Sequence, residues 1–406
     1  MSRDFSQFRD RPTQELQLTK SGRLSVHKAN IDTLLALNID EDCRDFLKTL
    51  LRYKADQKRL TTYVQGLRKH ICPDGRVRSS YLLHGTETSR RSSANPNRQN
   101  DPTDAEVKRI YVAPPEYLFV VNDYSNLEVR VAAAISQDKN LIQAFVDKRD
   151  IHTYVTSMAH RQDYDQLLLA IRNADKYPKE YARAFRLRDH CKRAMWTILF
   201  GGGPSKVALL TGLTFDHAAE LMNRILTEFP GLKKMFKELE RRALDTGRAE
   251  NAYGRWRPLL GIDSTDMGTR AEAIRQGLNT PIQGTAADIT LTAARHLNRW
   301  LEKLADKLGE ILAYLVQEVH DSLVDETHFS CAESVIVNSK RIMEAVKIPG
   351  GENVPLVVDQ VIGCHLGSRL KVTDAILGQL RRDPEQLYHQ LRADLNYSPQ
   401  HYERRE

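Results

Sequence analysis

No uninterrupted apolar run in these 406 residues approaches the ~20 that a membrane-spanning helix requires. The opening stretch MSRDFSQFRDRPTQ is polar and charged from its third residue, and together with the missing apolar run this predicts a soluble, intracellular chain with no membrane partner. Cysteine is scarce and scattered. Cys43, Cys72, Cys191, Cys331 and Cys364 form no Cys-x-x-Cys pair and have no His at metal spacing, so the simplest reading is a reducing compartment. Internal repeats and low-complexity tracts are also absent.

The length suggests two or three lobes around several cores. A net charge of +7 is a modest excess that suits an anionic partner such as nucleic acid. Residues 1 to about 22 are polar and expected to be poorly ordered without a partner. From Ile31 to about Leu67 the apolar spacing predicts two helices, and the Ser-, Asn- and Pro-rich stretch from Cys72 to Asn100 predicts short strands around a Pro-Asp-Gly turn. Tyr117 to Asp123 is an apolar run ending on a carboxylate, the pattern of a buried strand with an acid at its tip.

Residues 127 to about 244 read as almost continuous helix, broken at Gly201–Pro204 and at Pro230–Gly231. Another helix is expected from Met267 to Lys307, ended or kinked by Pro281. Ile311–Val316 and Ser322–Asp325 then read as a hairpin presenting a second acid, Asp321. Leu387, Leu391 and Leu395 predict a short surface helix in the tail.

Three constellations carry chemistry. Asp123 and Asp321 each close an apolar strand; neighbouring strands would bring two hard oxygen ligands to one sheet edge, able to hold two Mg²⁺ ions. Taken singly, either acid can equally be a plain strand end. Arg188, Lys192, Trp196 and Phe200 fall four apart on one helical face, two cations and two aromatics able to grip a triphosphate and stack a base; Gly201 ends that helix. Aromatic stripes are usually core, but cations extending the stripe make core a poor explanation. Arg275, Asn279 and Gln283 are again four apart, donors able to test minor-groove acceptors common to every Watson–Crick pair, or else a solvated helix face.

These residues resemble the motifs of family A DNA polymerases, the bacterial DNA polymerase I type and its phage relatives, over roughly residues 45 to 370. Asp123-Tyr124-Ser125-Asn126-Leu127-Glu128-Val129-Arg130 resembles the first motif, Arg188 to Gly201 the second, and Val319-His320-Asp321 the third. Thr88–Ser93 with Asn95-Pro96-Asn97, Asp150-Ile151-His152 and Thr280–Asp288 match supporting blocks in the same order.

The resemblance implies an α+β right-hand polymerase fold. Its parts would be a partial thumb at 1–70, a palm with an antiparallel sheet at 71–130 and 276–406 including a C-terminal extension, and helical fingers at 131–275. It implies a template-directed DNA polymerase using two Mg²⁺ ions, primer–template DNA and deoxynucleotides in the cytoplasm of a bacterium or phage-infected cell. No proofreading nuclease is expected in the chain, with a separate exonuclease or processivity partner in its place.

On this resemblance Asp123, Asp321 and the Tyr124 carbonyl hold metal. Arg188, Lys192 and His152 hold the triphosphate, Lys192 also acting as general acid. Trp196 and Phe200 meet the nucleotide, and Glu128 excludes a 2′-hydroxyl. Arg90, Arg275, Asn279, Gln283 and His320 meet the primer end and the nascent pair.

Four positions depart from the family pattern. Phe200 replaces a usual Tyr and loses a hydroxyl partner for Glu128; Trp196 replaces Phe, Tyr or Leu; Glu318 replaces Gln; Ser322 replaces Glu. His-Asp-Ser is also the pattern of single-subunit phage RNA polymerases, so a template-directed RNA polymerase or primase-like enzyme is the first alternative and an inactive DNA-binding scaffold the second.

Overall fold

The structure, a computed structural model, describes residues 21–395 except 24, 36–38, 84, 87–89, 103–104, 369 and 394. Residues 1–20, expected to be poorly ordered, and Thr88 and Ser89 of the first supporting block lie outside the described residues. The chain begins with helices α1 (Lys28–Leu35) and α2 (Glu41–Lys58), a wide π-helical segment Arg59–Gln65 and the single turn α3 (Gly66–Arg68). A small hairpin, β1 (Ser80–Leu82) with β2 (Ser92–Ala94), and a short α4 (Ala105–Lys108) lead to the central strand β3 (Tyr117–Tyr124).

β3 is the middle of a five-stranded, wholly antiparallel sheet, as the sequence led one to expect. It pairs on one side with β7 (Ser322–His328), which pairs with β6 (Ala313–Val319). On the other side it pairs with β8 (Val358–Gly363), followed by β9 (Leu370–Lys371). The apolar run reflects burial on both faces: Leu118 and Val120 pack with Ile336 and Ile362, whereas Phe119 packs with Ala113 and Val324.

Eight helices follow β3 where one nearly continuous pattern was read: α5 (Leu127–Ser136), α6 (Lys139–Val146), α7 (Ile151–His160), α8 (Tyr164–Arg172), α9 (Pro178–Leu199), α10 (Pro204–Thr211), α11 (Phe215–Glu228) and α12 (Pro230–Thr246). The expected breaks at Gly201–Pro204 and Pro230–Gly231 are present. The additional ones come from capping: Asp138, Asp150 and Asp163 each accept a backbone N–H three residues on and start a new helix.

A further hairpin, β4 (Arg248–Glu250) with β5 (Trp256–Pro258), precedes α13 (Met267–Leu308). Pro281 was expected to end or kink α13, and the helix does not end there. The helix runs on through it although Pro281 lacks the N–H that would reach the Gly277 carbonyl, and packing on α5, α12 and β6 holds the segment.

After β7 come a 3₁₀ turn at Phe329–Cys331 and α14 (Ala332–Ala345), which also packs on α13; after β9 come α15 (Asp374–Arg382) and α16 (Pro384–Ala393). The tail is therefore two helices rather than one surface helix. Leu387 and Leu391 are buried with Leu118, Val120 and Ile362, so these helices cover one face of the sheet. Among the described residues no helix is long and apolar enough to cross a membrane.

Candidate active site

The topology brings the two strand-end acids together. Asp123 is the penultimate residue of β3, and Asp321 lies in the two-residue turn joining β6 to β7, where the Asp321 carbonyl accepts the Tyr124 backbone N–H at 3.2 Å. The turn requires a left-handed His320 (φ 56°), a conformation costing a non-glycine residue of order 1 kcal/mol or more and tolerated at functional sites.

In register, Asp123 lies between Ser322 on β7 and Asp359 on β8. Its carboxylate reaches solvent, but the crowded protein around it, then Asp321 and then Asp359, push it up to about 7. Burial also raises Asp321, against the opposing charge of Arg90. Two crowded neighbouring carboxylates that the charges of Arg90 and Lys108 oppose without outweighing their burial are the environment a divalent cation relieves, and oxygen donors suit Mg²⁺.

Among the described residues no group of three or more His, Cys, Asp or Glu is spaced to hold a metal. The protein's share would therefore be small, with water and substrate oxygens completing the shell, as Mg²⁺ commonly accepts. The Tyr124 side chain faces the core, its hydroxyl donating to the Met343 carbonyl at 2.8 Å, which fixes the backbone at the strand tip.

Helix α9 carries the second constellation. Trp196 and Phe200 are stacked, ring centroids 5.5 Å apart. With Lys192, Lys206 and Leu210 they line a cleft of about 320 Å³ between α9 and α10. Lys192 is exposed and makes no ion pair among the described residues. Arg188 is held instead by Asp150, Nε to Oδ1 at 3.1 Å and Nη2 to Oδ2 at 2.9 Å. Burial disfavours an ionised Asp150, yet hydrogen bonds from Arg188 and Thr153 outweigh it and hold the carboxyl down at about 2. Beside this pair His152 is buried, its Nδ1 without a partner among the described residues. Burial and then the Arg188 charge push it down to about 4, so it is neutral at pH 7 and adds no positive charge.

Gly201 ends the aromatic stripe at φ 66°, and a Cβ there would lie 3.1 Å from Leu278 Cδ1 and 3.6 Å from Arg275 Cγ. The third set is thus joined to the second where α9 meets α13. Arg275 is paired with Glu272 on its own helix, Asn279 Oδ1 is buried without a partner among the described residues, and Gln283 is half-buried.

Two further ion pairs were not legible in the sequence. Arg90 pairs with the buried Glu128 on α5, and Arg91 with Glu318 on β6, Nε to Oε1 at 3.0 Å. The anion at position 318 is therefore already neutralised. Asp359 and Lys206 were also missed. Asp359 lies in a short strand whose β-branched residues are interrupted by Asp359-Gln360; Lys206 lies on a different helix from the stripe it joins.

Three comparisons bear on this arrangement. The family model for DNA polymerase family A matches residues 6–368. The chain is 31% identical over 326 residues to the DNA polymerase I of Caldicellulosiruptor bescii, covering 78% of this chain and 35% of that protein. It is 28% identical over 352 residues to the thermostable DNA polymerase I of Thermus aquaticus, covering 85% and 38%. It thus spans little more than a third of the length of these curated relatives. The POL domain of Pol1 from M. smegmatis, solved in complex with DNA primer-template and dNTP, superposes with a TM-score of 0.73 at 25% identity, covering 87% of this chain and 58% of that one.

Proposed function

The chain belongs to DNA polymerase family A, and on that premise we propose that it is a template-directed DNA polymerase adding deoxynucleotides to a primer 3′ end. One observation carries the reading: Asp123 and Asp321, about two hundred residues apart in sequence, meet at one edge of the sheet. On this proposal the palm is 71–130 with 276–406, the fingers are 131–275, and α1–α3 belong to a partial thumb.

Asp123 and Asp321, with the Tyr124 carbonyl, would hold the Mg²⁺ ions, which when bound activate the primer hydroxyl and neutralise triphosphate charge. The primer 3′ hydroxyl gives its proton to water, its oxygen bonds to the α-phosphorus, and the bond from that phosphorus to the α–β bridging oxygen breaks as pyrophosphate leaves. Lys192, without an ion pair among the described residues and exposed on the face of α9, donates a proton to the departing pyrophosphate. Arg188 reaches the triphosphate only by sharing or leaving Asp150. His152, neutral and buried behind it, serves as a hydrogen-bonding group.

Trp196 and Phe200 stack on the incoming base, and Glu128 occupies the space a 2′-hydroxyl would need. Arg90, Arg275, Asn279, Gln283 and His320 meet the primer end and the nascent pair. Ser322 and Phe200 were the points in favour of RNA synthesis; relatives described as DNA polymerases, and a neighbour holding a dNTP, favour DNA.

Extension of a labelled primer–template with Mg²⁺ and deoxynucleotides, lost in Asp321→Asn, is the expected result. Equal use of ribonucleotides, or extension by Asp321→Asn, would overturn the reading. A separate processivity or exonuclease partner belongs to the same proposal. Short runs by the chain alone on a long template are expected, and runs of hundreds of nucleotides per binding event would remove the need for a processivity partner. The site of action is the cytoplasm of a bacterial or phage-infected cell, which fractionation checks.

A further inference from the structure

Phe200 has no hydroxyl to offer Glu128, and among the described residues the one side chain that hydrogen-bonds the Glu128 carboxylate is Arg90. Glu128 is 5% exposed, on the first turn of α5, five residues after Asp123. An ionised carboxylate so buried is stabilised by a charge partner, and removing that partner alone is strongly unfavourable. Arg90 arrives from the loop before β2, and its guanidinium lies close enough to act electrostatically on Asp321 and His320 as well. The pair therefore spans the space between the metal-binding edge and the start of α5, where the sugar of an incoming nucleotide would sit on the reading above.

We propose that Arg90 is a specificity-determining residue: its ion pair with Glu128 fixes the carboxylate that excludes a 2′-hydroxyl, in place of an aromatic hydroxyl at position 200. The inference rests on the polymerase reading. It gives Arg90 a second role besides any contact with the primer, and the two are separable. A primer contact serves deoxynucleotide and ribonucleotide addition alike, so its loss lowers both and leaves their ratio unchanged. Loss of the Glu128 partner lets the carboxylate move and selectively favours the ribonucleotide.

Two measurements test it together. The first is kcat/KM for dATP and for ATP on one primer–template, with wild type, Arg90→Ala, Glu128→Ala and Arg90→Ala/Phe200→Tyr. The preference for dATP is expected to fall roughly tenfold or more in Arg90→Ala, to fall in Glu128→Ala, and to recover in part when Phe200→Tyr supplies a hydroxyl. An unchanged ratio in Arg90→Ala, with both nucleotides used less well, would overturn the proposal and leave Arg90 a primer contact.

The second is a thermal-unfolding cycle. Arg90→Ala should melt below the Arg90→Ala/Glu128→Ala double variant, because the single change strands a buried carboxylate. Strict additivity would overturn the pair itself. Wild type that adds neither nucleotide would instead bring down the polymerase reading, and the inference with it, so the two failures are distinguishable.

Discussion

Asp325 in β7 is fully buried, accepts one hydrogen bond from Asn122 Nδ2 at 2.9 Å, and has no partner for its second oxygen among the described residues. Burial pushes its carboxyl up to about 7, against the opposing hydrogen bond from Asn122. An acid whose folded pKa is raised binds its proton more tightly folded than unfolded, so folding stability declines as pH rises from about 4 to about 7 and then levels off. Asparagine reproduces the neutral acid without a proton to lose. Asp325→Asn should therefore gain on wild type in melting temperature across that interval, and parallel pH profiles would refute the assignment. At the same scale, Lys192→Ala should lower kcat about 10²-fold or more as a lost general acid. Arg188→Ala should act chiefly by raising KM for the deoxynucleotide, and single-nucleotide kinetics separate the two.

At the scale of elements, α16 is the clearest departure from surface behaviour. Its Leu387 and Leu391 seal the sheet face formed by Leu118, Val120 and Ile362, and the Tyr388 hydroxyl accepts the Glu116 N–H at 2.8 Å just before β3. Removing a buried leucine side chain costs about 2 to 5 kcal/mol. Leu387→Ala should shift the urea midpoint accordingly, and an unmoved midpoint would mean that the helix does not support the sheet. Helix α13 makes a different point. Gly277 lies where an added Cβ would come within 2.8 Å of Ala243 Cβ on α12, so close helix packing supports the segment that Pro281 deprives of one backbone hydrogen bond.

For the molecule as a whole, what the sequence revealed was what local spacing controls. β3 was legible because its apolar run is buried on both faces, and the α9 stripe because four-residue steps keep one helical face. The breaks at Asp138, Asp150 and Asp163 were legible in principle as capping residues but were masked by continuous apolar spacing. β8 was missed because Asp359-Gln360 interrupts a short strand, and with it went the third carboxylate beside Asp123. Pairings such as Arg90 with Glu128, Arg188 with Asp150 and Arg76 with Glu326 join distant segments, and no local pattern encodes them.

The central claim is that Asp123 and Asp321 form one centre for phosphoryl transfer. It is tested most directly by measuring single-nucleotide extension and primer–template binding, by fluorescence anisotropy, on Asp123→Asn and Asp321→Asn. Each variant should lose roughly 10³-fold or more in extension rate while binding DNA within a few-fold of wild type. Near-normal extension by either variant would contradict it.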